Sequence, residues 1–289
     1  MSETKLLWRK IKNIIFKSLI YGISFSVAIP LLLIIIYTLI RGASVLSLEF
    51  FISGSKPTGE PGAGILNALV GSGLLILLAT LVATPVSIGC GIYLAEFKNS
   101  RLANIIRSAV NLIQGVPSIV LGLLGYSWFV LPLARASGGA YTFSILAGAL
   151  TLSIMMLPLI IKATEETVLL IPLSLKESAM ALGVPYYKTI LKVVIPAALS
   201  GIVSGVLLAV ARVAGETAPL LFTVFGNYYF NINLLKPADS LPLIIFHYAQ
   251  SPYDDLHNIA WGAAVVLLGF VLLINLLVRL VVKKWKVQF

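Results

Sequence analysis

Charge is scarce in this chain. Only 11% of its 289 residues are Asp, Glu, Lys or Arg, against 59% that are hydrophobic, whereas a soluble domain carries roughly a quarter charged residues. That balance excludes an ordinary water-soluble globule, and a mean hydropathy of +1.01 agrees. Cysteine is scarcer still: Cys90 is alone and lies inside an apolar run, so no disulfide can form within the chain and nothing follows about redox compartment. Of the two histidines, His247 and His257, neither has ligand partners at metal-site spacing. No lysine follows a glycine, so the phosphate-cradling G-x4-G-K-[ST] loop is missing and ATP must be hydrolysed elsewhere. Neither H-E-x-x-H nor G-x-S-x-G occurs, and the chain alone is expected to have no enzymatic activity, no cofactor and no metal.

What the chain does have is a series of long apolar runs. The net charge of +10 would suit nucleic acid on a soluble domain with a basic face, but here the lysines and arginines stand between apolar runs. The runs extend from Ser18 to Ile40, Leu66 to Leu94, Ser108 to Leu133, Tyr141 to Ile161, Val193 to Ala211 and Ile259 to Val282. Each is close to the roughly 20 residues that cross a bilayer, and the first is too long for the core of a signal peptide. The expected fold is all-α: a polytopic integral membrane protein with six transmembrane helices.

Basic residues flanking spans are retained on the cytoplasmic side. Lys98, Arg101 and Arg107 stand between spans two and three, Lys162, Lys176, Lys188 and Lys192 between four and five, and Arg279, Lys283, Lys284 and Lys286 after span six. Both termini are therefore expected in the cytoplasm of a cell bounded by a plasma (inner) membrane. Residues 1–65 form an N-terminal tail, first span and external loop; residues 66–289 form a core with a cytoplasmic loop at 163–192 and an external loop at 217–257. Two apolar stretches, Thr217 to Phe225 and Leu241 to Ala249, are too short to span and read as re-entrant or interfacial pieces. Small residues crowd spans two, three and five (Gly71, Gly91, Gly122, Gly125, Gly201 and Gly205 among them), which lets helices approach closely in lipid. Span one lacks this density and is expected at the periphery.

The cytoplasmic loop holds the most structured charged stretch, Ser174-Leu175-Lys176-Glu177-Ser178-Ala179-Met180-Ala181-Leu182-Gly183-Val184-Pro185. Ser174 and Glu177 have capping-box spacing, Leu175, Ala179 and Leu182 fall on one face, and Gly183 and Pro185 end the helix. About two turns are predicted, too few to stand without a packing partner. A capped amphipathic helix resting on the membrane would show the same pattern.

Glu177-Ser178-Ala179, then Gly183, then Val193-x-Ile195-Pro196 resembles the EAA loop of ABC-importer permeases, E-A-A-x3-G-x9-I-x-L-P. Ser178, Val193 and Ile195 depart conservatively from it. In that family the loop is a coupling helix seated in a cleft of the ATPase, which gives Glu177, Ser178, Ala179 and Gly183 an ATPase-coupling role by resemblance.

Span five ends Ala211-Arg212-Val213-Ala214-Gly215-Glu216-Thr217-Ala218-Pro219. On a helix Arg212 and Glu216 would share a face, and an ionised group at such depth faces a polar cavity or a partner. Arginine suits a tetrahedral oxyanion, because its planar fork offers paired donors and its charge does not titrate away. Glu216 beside an anion suggests selectivity: phosphate keeps a P–O–H donor at neutral pH and sulfate has none. An intrahelical ion pair that makes burial tolerable would also account for both residues.

The run from Ala211 to Thr223, together with Gln114-Gly115-Val116-Pro117-Ser118 and Leu241-Pro242-Leu243-Ile244-Ile245-Phe246, is similar to the PstA-type permease subunits of phosphate ABC importers, from span two to span six. This resemblance implies a MetI-like permease fold. It implies a substrate pathway past Arg212, Glu216 and Ser118, and partnership with a homologous PstC-type permease, two PstB-type ATPase subunits, an extracytoplasmic PstS-type phosphate-binding protein and membrane lipid. Inorganic phosphate is the expected cargo; molybdate or sulfate would keep the class, and an ion-gradient-driven secondary transporter would change it. The latter expects inverted repeats, and none is visible. A structural membrane subunit that carries nothing would leave Arg212 without a cavity.

Overall fold

The computed structural model describes residues 3–57, 59–60 and 62–284. Among these, every regular element is a helix: α1 Glu3–Ala43, α2 Leu48–Ile52, α3 Leu66–Glu96, α4 Arg101–Gly115, α5 Ser118–Ala136, α6 Ile145–Leu169, α7 Leu173–Ala181, α8 Tyr186–Val213, α9 Ala218–Thr223, α10 Leu241–Ala249 and α11 Asp254–Lys284. Six of them, α1, α3, α5, α6, α8 and α11, are long and apolar enough to cross a membrane. Lys286, one of the basic residues after span six, lies outside the described residues.

The bundle is built around α6, the most enclosed of the six. Leu152, Met155, Met156 and Ile160 of α6 pack with Leu75, Ala79 and Ala83 of α3 and with Ala209 and Val213 of α8. Glycine makes these approaches possible. A Cβ at Gly91 would meet Thr164 at 2.6 Å, and side chains at Gly201 and Gly205 would run into Thr167 and Ala163. In lipid, where water gives no push between helices, such close packing is what holds spans together. Gly73, Gly89 and Gly115 of the same crowded stretches face open space instead. Helix α1 stays outside: along its most apolar stretch no residue is buried, and it touches the bundle near its end, where Tyr37 meets Trp261 edge to face at 5.3 Å.

Several expected boundaries move. The third span does not start at Ser108: the chain leaves the helix at Gly115, passes through extended Val116 (φ −77°, ψ 130°) and Pro117, and begins α5 at Ser118. Proline pushes the preceding residue out of the helical region and has no N–H to donate, so Pro117 divides the run. Pro30, Pro85 and Pro158, by contrast, sit inside unbroken helices. The amphipathic segment α4, which the apolar-run criterion split, is capped by Ser100, whose Oγ accepts the Ala103 N–H at 3.0 Å. Span four, expected from Tyr141 to Ile161, starts after the Ser144 cap and continues to Leu169. Span five starts at Tyr186 rather than Val193 and holds a π-helical turn at Ile190–Val194. The connecting loop is correspondingly shorter than 163–192. At the end of span four and the start of span five, charged residues belong to a helix that carries on past the apolar run.

The two short apolar stretches form α9 and α10, each with a proline in its first turn. Both are packed into protein, α9 through Pro219, Leu220 and Thr223, α10 all round its first turn through Leu241, Pro242, Leu243 and Ile244 and again at Tyr248. Insertion against protein rather than lipid is what non-spanning backbone at this depth requires.

Candidate functional site

Two regions carry the residues singled out above. The first is α7 and its flanks. The helix starts at Leu173 with Pro172 at the N-cap and no side-chain cap, so the Ser174–Glu177 capping box does not form. Proline already supplies the extended entry, and Ser174 falls inside the helix, where it cannot cap it. The other end is as expected. Gly183 takes φ +80°, and the Val184 N–H to Ala179 O (3.3 Å) and Gly183 N–H to Met180 O (2.9 Å) bonds close a Schellman motif. Leu182 does not join the packed face; it is 84% exposed, carried outward by the left-handed residue that follows.

One side of α7 is fastened. Leu175 packs against a cluster of Ala95, Val168, Ile171, Val194, Ala198 and Ile202 from α3, α6, the link after α6, and α8. Lys176 pairs with Glu96 at the end of α3, and the Tyr186 hydroxyl at the start of α8 donates to the other Glu96 oxygen at 2.7 Å. Sequence reasoning treated Lys176 as a topology marker and passed over Glu96 and Tyr186. Nothing local pairs residues 80 and 90 positions apart. The other side of α7 is free: Glu177, Ser178 and Gly183 are exposed, and Ala179 is half-buried. Leu170, Leu173, Leu182 and Tyr187 stand exposed around them.

The second region is the end of α8. Arg212 occupies the last turn, with its side chain half exposed, and Glu216 lies beyond the helix end at Val213. The chain continues in tightened turns, Gly215 N–H to Arg212 O and Glu216 N–H to Val213 O. These bring the Glu216 carboxylate back to 3.9 Å from Arg212 Nε, too far for a hydrogen bond. The ion pair exists but does not occupy the guanidinium's donors.

Register places Ser118 at nearly the same depth. Gly201 faces Thr167 and Gly205 faces Ala163, so α8 runs antiparallel to α6 and Arg212 comes level with Met156. Gln114 bonds to Lys162 and Gly125 faces Thr151, which puts Ser118 level with Pro158. The difference is roughly 3 Å along the axis at 1.5 Å per residue. One turn on from Ser118, on the same face, Gly122 abuts α9: a Cβ there would meet Pro219 Cα at 2.8 Å and Ala218 O at 3.3 Å. The break before α5, the Arg212–Glu216 turn and the start of α9 thus converge on one level of the bundle.

Beyond α9 the chain passes through Phe225 at φ 70° and Gly226 at φ 100°. These residues, with Asn227, Tyr228, Asp239, His247 and Tyr248, line a cavity of about 360 Å³. Asp239 is 5% exposed. Its Oδ1 accepts the Ser240 N–H at 2.8 Å, but burial dominates and pushes the carboxyl up to about 7. Burial likewise holds His247 below its ordinary value. Among the described residues no three His, Cys, Asp or Glu side chains are grouped to hold a metal ion.

Residues 87–287 match the family described as binding-protein-dependent transport system inner membrane component. A phosphate transport system permease protein PstA of Yersinia pestis is 39% identical over 283 residues, covering 98% of this chain and 94% of its own. The Haemophilus influenzae protein of that name is 40% identical, covering 94% of both chains. A probable PstA of Methanocaldococcus jannaschii is 36% identical over 95% of both. Among solved structures, an inward-facing MetNI methionine ABC transporter chain superposes with a TM-score of 0.59 at 18% identity, covering 77% of this chain and 98% of that one. An amino acid ABC transporter superposes at 0.53 and 18% identity, covering 76% and 92%.

Proposed function

This chain belongs to the binding-protein-dependent transport inner membrane components, among their PstA-type phosphate permeases, and we infer that it is the multi-pass inner-membrane subunit through which an ATP-driven importer passes inorganic phosphate. The observation that carries the cargo assignment is Arg212: a half-exposed guanidinium at the end of α8, whose one carboxylate neighbour stands back at 3.9 Å. Its paired donors remain available to a tetrahedral oxyanion.

The finer assignments follow from that frame. Phosphate passes Arg212, with Ser118 at the same level and Glu216 accepting from the P–O–H group, which favours phosphate over sulfate or molybdate. The end of the bundle that carries α7 faces the cytoplasm together with both termini, and residues 217–257 face outward. Residues 66–289 form the permease core, and residues 1–65 an N-terminal addition whose helix α1 meets α11 near its own end. The partners are a homologous PstC-type permease completing the pore, two PstB-type ATPase subunits against Glu177, Ser178, Ala179 and Gly183, a PstS-type binding protein on the outer face, and lipid around α1.

Mechanically, α7 is fixed to α3 and α8 through Lys176, Glu96 and Tyr186, so a displacement of α7 by the ATPase enters both spans together. Arg212 sits at the far end of α8. Closing the ATPase dimer therefore shifts the guanidinium and loosens its hold on the anion.

The test is uptake of radiolabelled phosphate by proteoliposomes holding the permease pair, ATPase and binding protein, with and without ATP. Uptake that needs ATP and is not competed by excess sulfate is expected. Uptake without the ATPase, driven by an ion gradient, would overturn the assignment.

A further inference from the structure

We propose that Lys162, steadied by Gln114, is a second oxyanion-binding station on the route that Arg212 begins, closer to the end of the bundle bearing α7. The inference rests on the phosphate-permease reading and adds a residue to it. Sequence position made Lys162 a loop lysine, but it lies inside α6, seven residues before the helix ends at Leu169. At 1.5 Å per residue that is roughly 10 Å in from the end.

Three observations separate this lysine from an ordinary flanking one. Among the described residues no carboxylate pairs with its ammonium. Glu165, one turn on, is taken by Arg107 through Nε at 3.0 Å and Nη2 at 2.8 Å, and Glu166 makes no ion pair with it. The bond Lys162 does make, Nζ to Gln114 Oε1 at 2.6 Å, uses one of three donors. Secondly, the side chain reaches sideways to the neighbouring helix α4, whereas a lysine seeking the aqueous interface would extend along its own helix toward the nearer end. Thirdly, there is room beside it. Gln114 and Gly115 are exposed, and nothing lies within 4 Å of the place a Gly115 Cβ would take. An ammonium without a carboxylate partner, set in from the helix end, is favoured where a cavity or counterion receives it. A carbonyl oxygen that orients the ammonium while leaving two donors free is an arrangement for an anion.

Depth supplies the route. Lys162 is level with residue 206 of α8 by the Gly205–Ala163 contact, six residues from Arg212, or roughly 9 Å. Ser118, whose hydroxyl and N–H make no hydrogen bond among the described residues, stands between the two levels. An anion released by Arg212 meets Ser118 and then an ammonium with no carboxylate to displace. The weaker geometric fit of ammonium than guanidinium to an oxyanion suits a site that must let go.

Lys162→Met, Lys162→Arg and the unchanged chain would be compared in the assembled transporter reconstituted in liposomes, measuring radiolabelled phosphate uptake and ATP hydrolysis. The methionine variant is expected to lose about tenfold in uptake, the scale of one charge-assisted bond, while hydrolysis persists and arginine restores most of the transport. Undiminished uptake by Lys162→Met overturns the station. If that variant does not assemble, Lys162→Cys in a Cys90→Ala background replaces it. The thiol should react with a sulfonate-bearing methanethiosulfonate, and millimolar phosphate should slow the reaction; a thiol that is inert, or indifferent to phosphate, overturns the proposal equally. Failure of the unchanged transporter to move phosphate would instead remove the importer reading, so the two are told apart.

Discussion

Lys176 of α7 and Glu96 of α3 form an ion pair whose side chains are only 12% and 9% exposed, and the Tyr186 hydroxyl closes it from α8. Removing one member of such an enclosed pair leaves the other charge uncompensated, at a cost of about 3 kcal/mol or more. Lys176→Met should therefore lower the thermal midpoint of the purified subunit. It should also let α7 move without carrying α3 and α8, so phosphate uptake falls further than ATP hydrolysis does. Exchanging the pair (Lys176→Glu with Glu96→Lys) should recover part of both; no recovery would place the effect outside this contact.

Gly183 closes α7 at φ +80°, where a side chain costs roughly 1 to 2 kcal/mol. Nothing lies within 4 Å of its missing Cβ, so the penalty in Gly183→Ala is conformational, with no clash added. The variant should assemble, yet meet the ATPase with a misdirected Leu182 and a frayed α7. Hydrolysis without matching uptake is the expected result in proteoliposomes. Fully coupled uptake would show that the connection at residue 183 need not be rigid.

Arg212→Gln removes the guanidinium from a turn where its charge partner is loose, so folding should change little while phosphate uptake is lost. Arg212→Lys should retain a fraction, since a point charge replaces a fork. Glu216→Gln separates two roles. If the carboxylate accepts from phosphate, sulfate should begin to compete in the uptake assay; a variant that still excludes sulfate leaves Glu216 as the partner of Arg212 alone.

The sequence made the spans legible because apolar length is a direct physical requirement of the bilayer. It made Gly183 legible because few residues other than glycine sit comfortably at positive φ. It misled at Pro117, where composition runs on but the backbone cannot, and at Lys162, where charge imitated a loop. The Ser174–Glu177 box failed for a related reason: two residues earlier, Pro172 had already set the entry to the helix. Arg212 is legible from local pattern and Ser118 through the family resemblance, but their common depth depends on the contacts of Gly201, Gly205 and Gly125 with α6, and no local signal encodes a register between helices. Asp239 falls within the external loop 217–257, and nothing in its local sequence marks it for burial. Its burial comes from α3, where Gly71 packs directly against the Asp239 backbone.

That burial gives the chain a pH-dependent stability with a definite sign. Asp239 titrates at about 7 when folded against an ordinary 3.8, so the native state holds the proton more tightly than the unfolded chain does. The neutral form is tolerated in the cavity and the carboxylate is not. Stability from this group is complete below about pH 4 and is lost as pH rises through about 7, up to roughly 4 kcal/mol. Of the groups facing it, Tyr248 titrates above 10 and stays neutral throughout. His247, held below 6.5 by burial, contributes the opposite slope, confined to more acid solution because a base with a depressed value loses stability as pH falls. Between pH 6.5 and 8 the Asp239 effect should stand alone. Thermal midpoints in detergent should fall across that interval for the unchanged chain and stay level for Asp239→Asn, which keeps the shape and removes the charge. An asparagine variant with the same slope would mean that another group, or the exposed loop around it, sets the dependence.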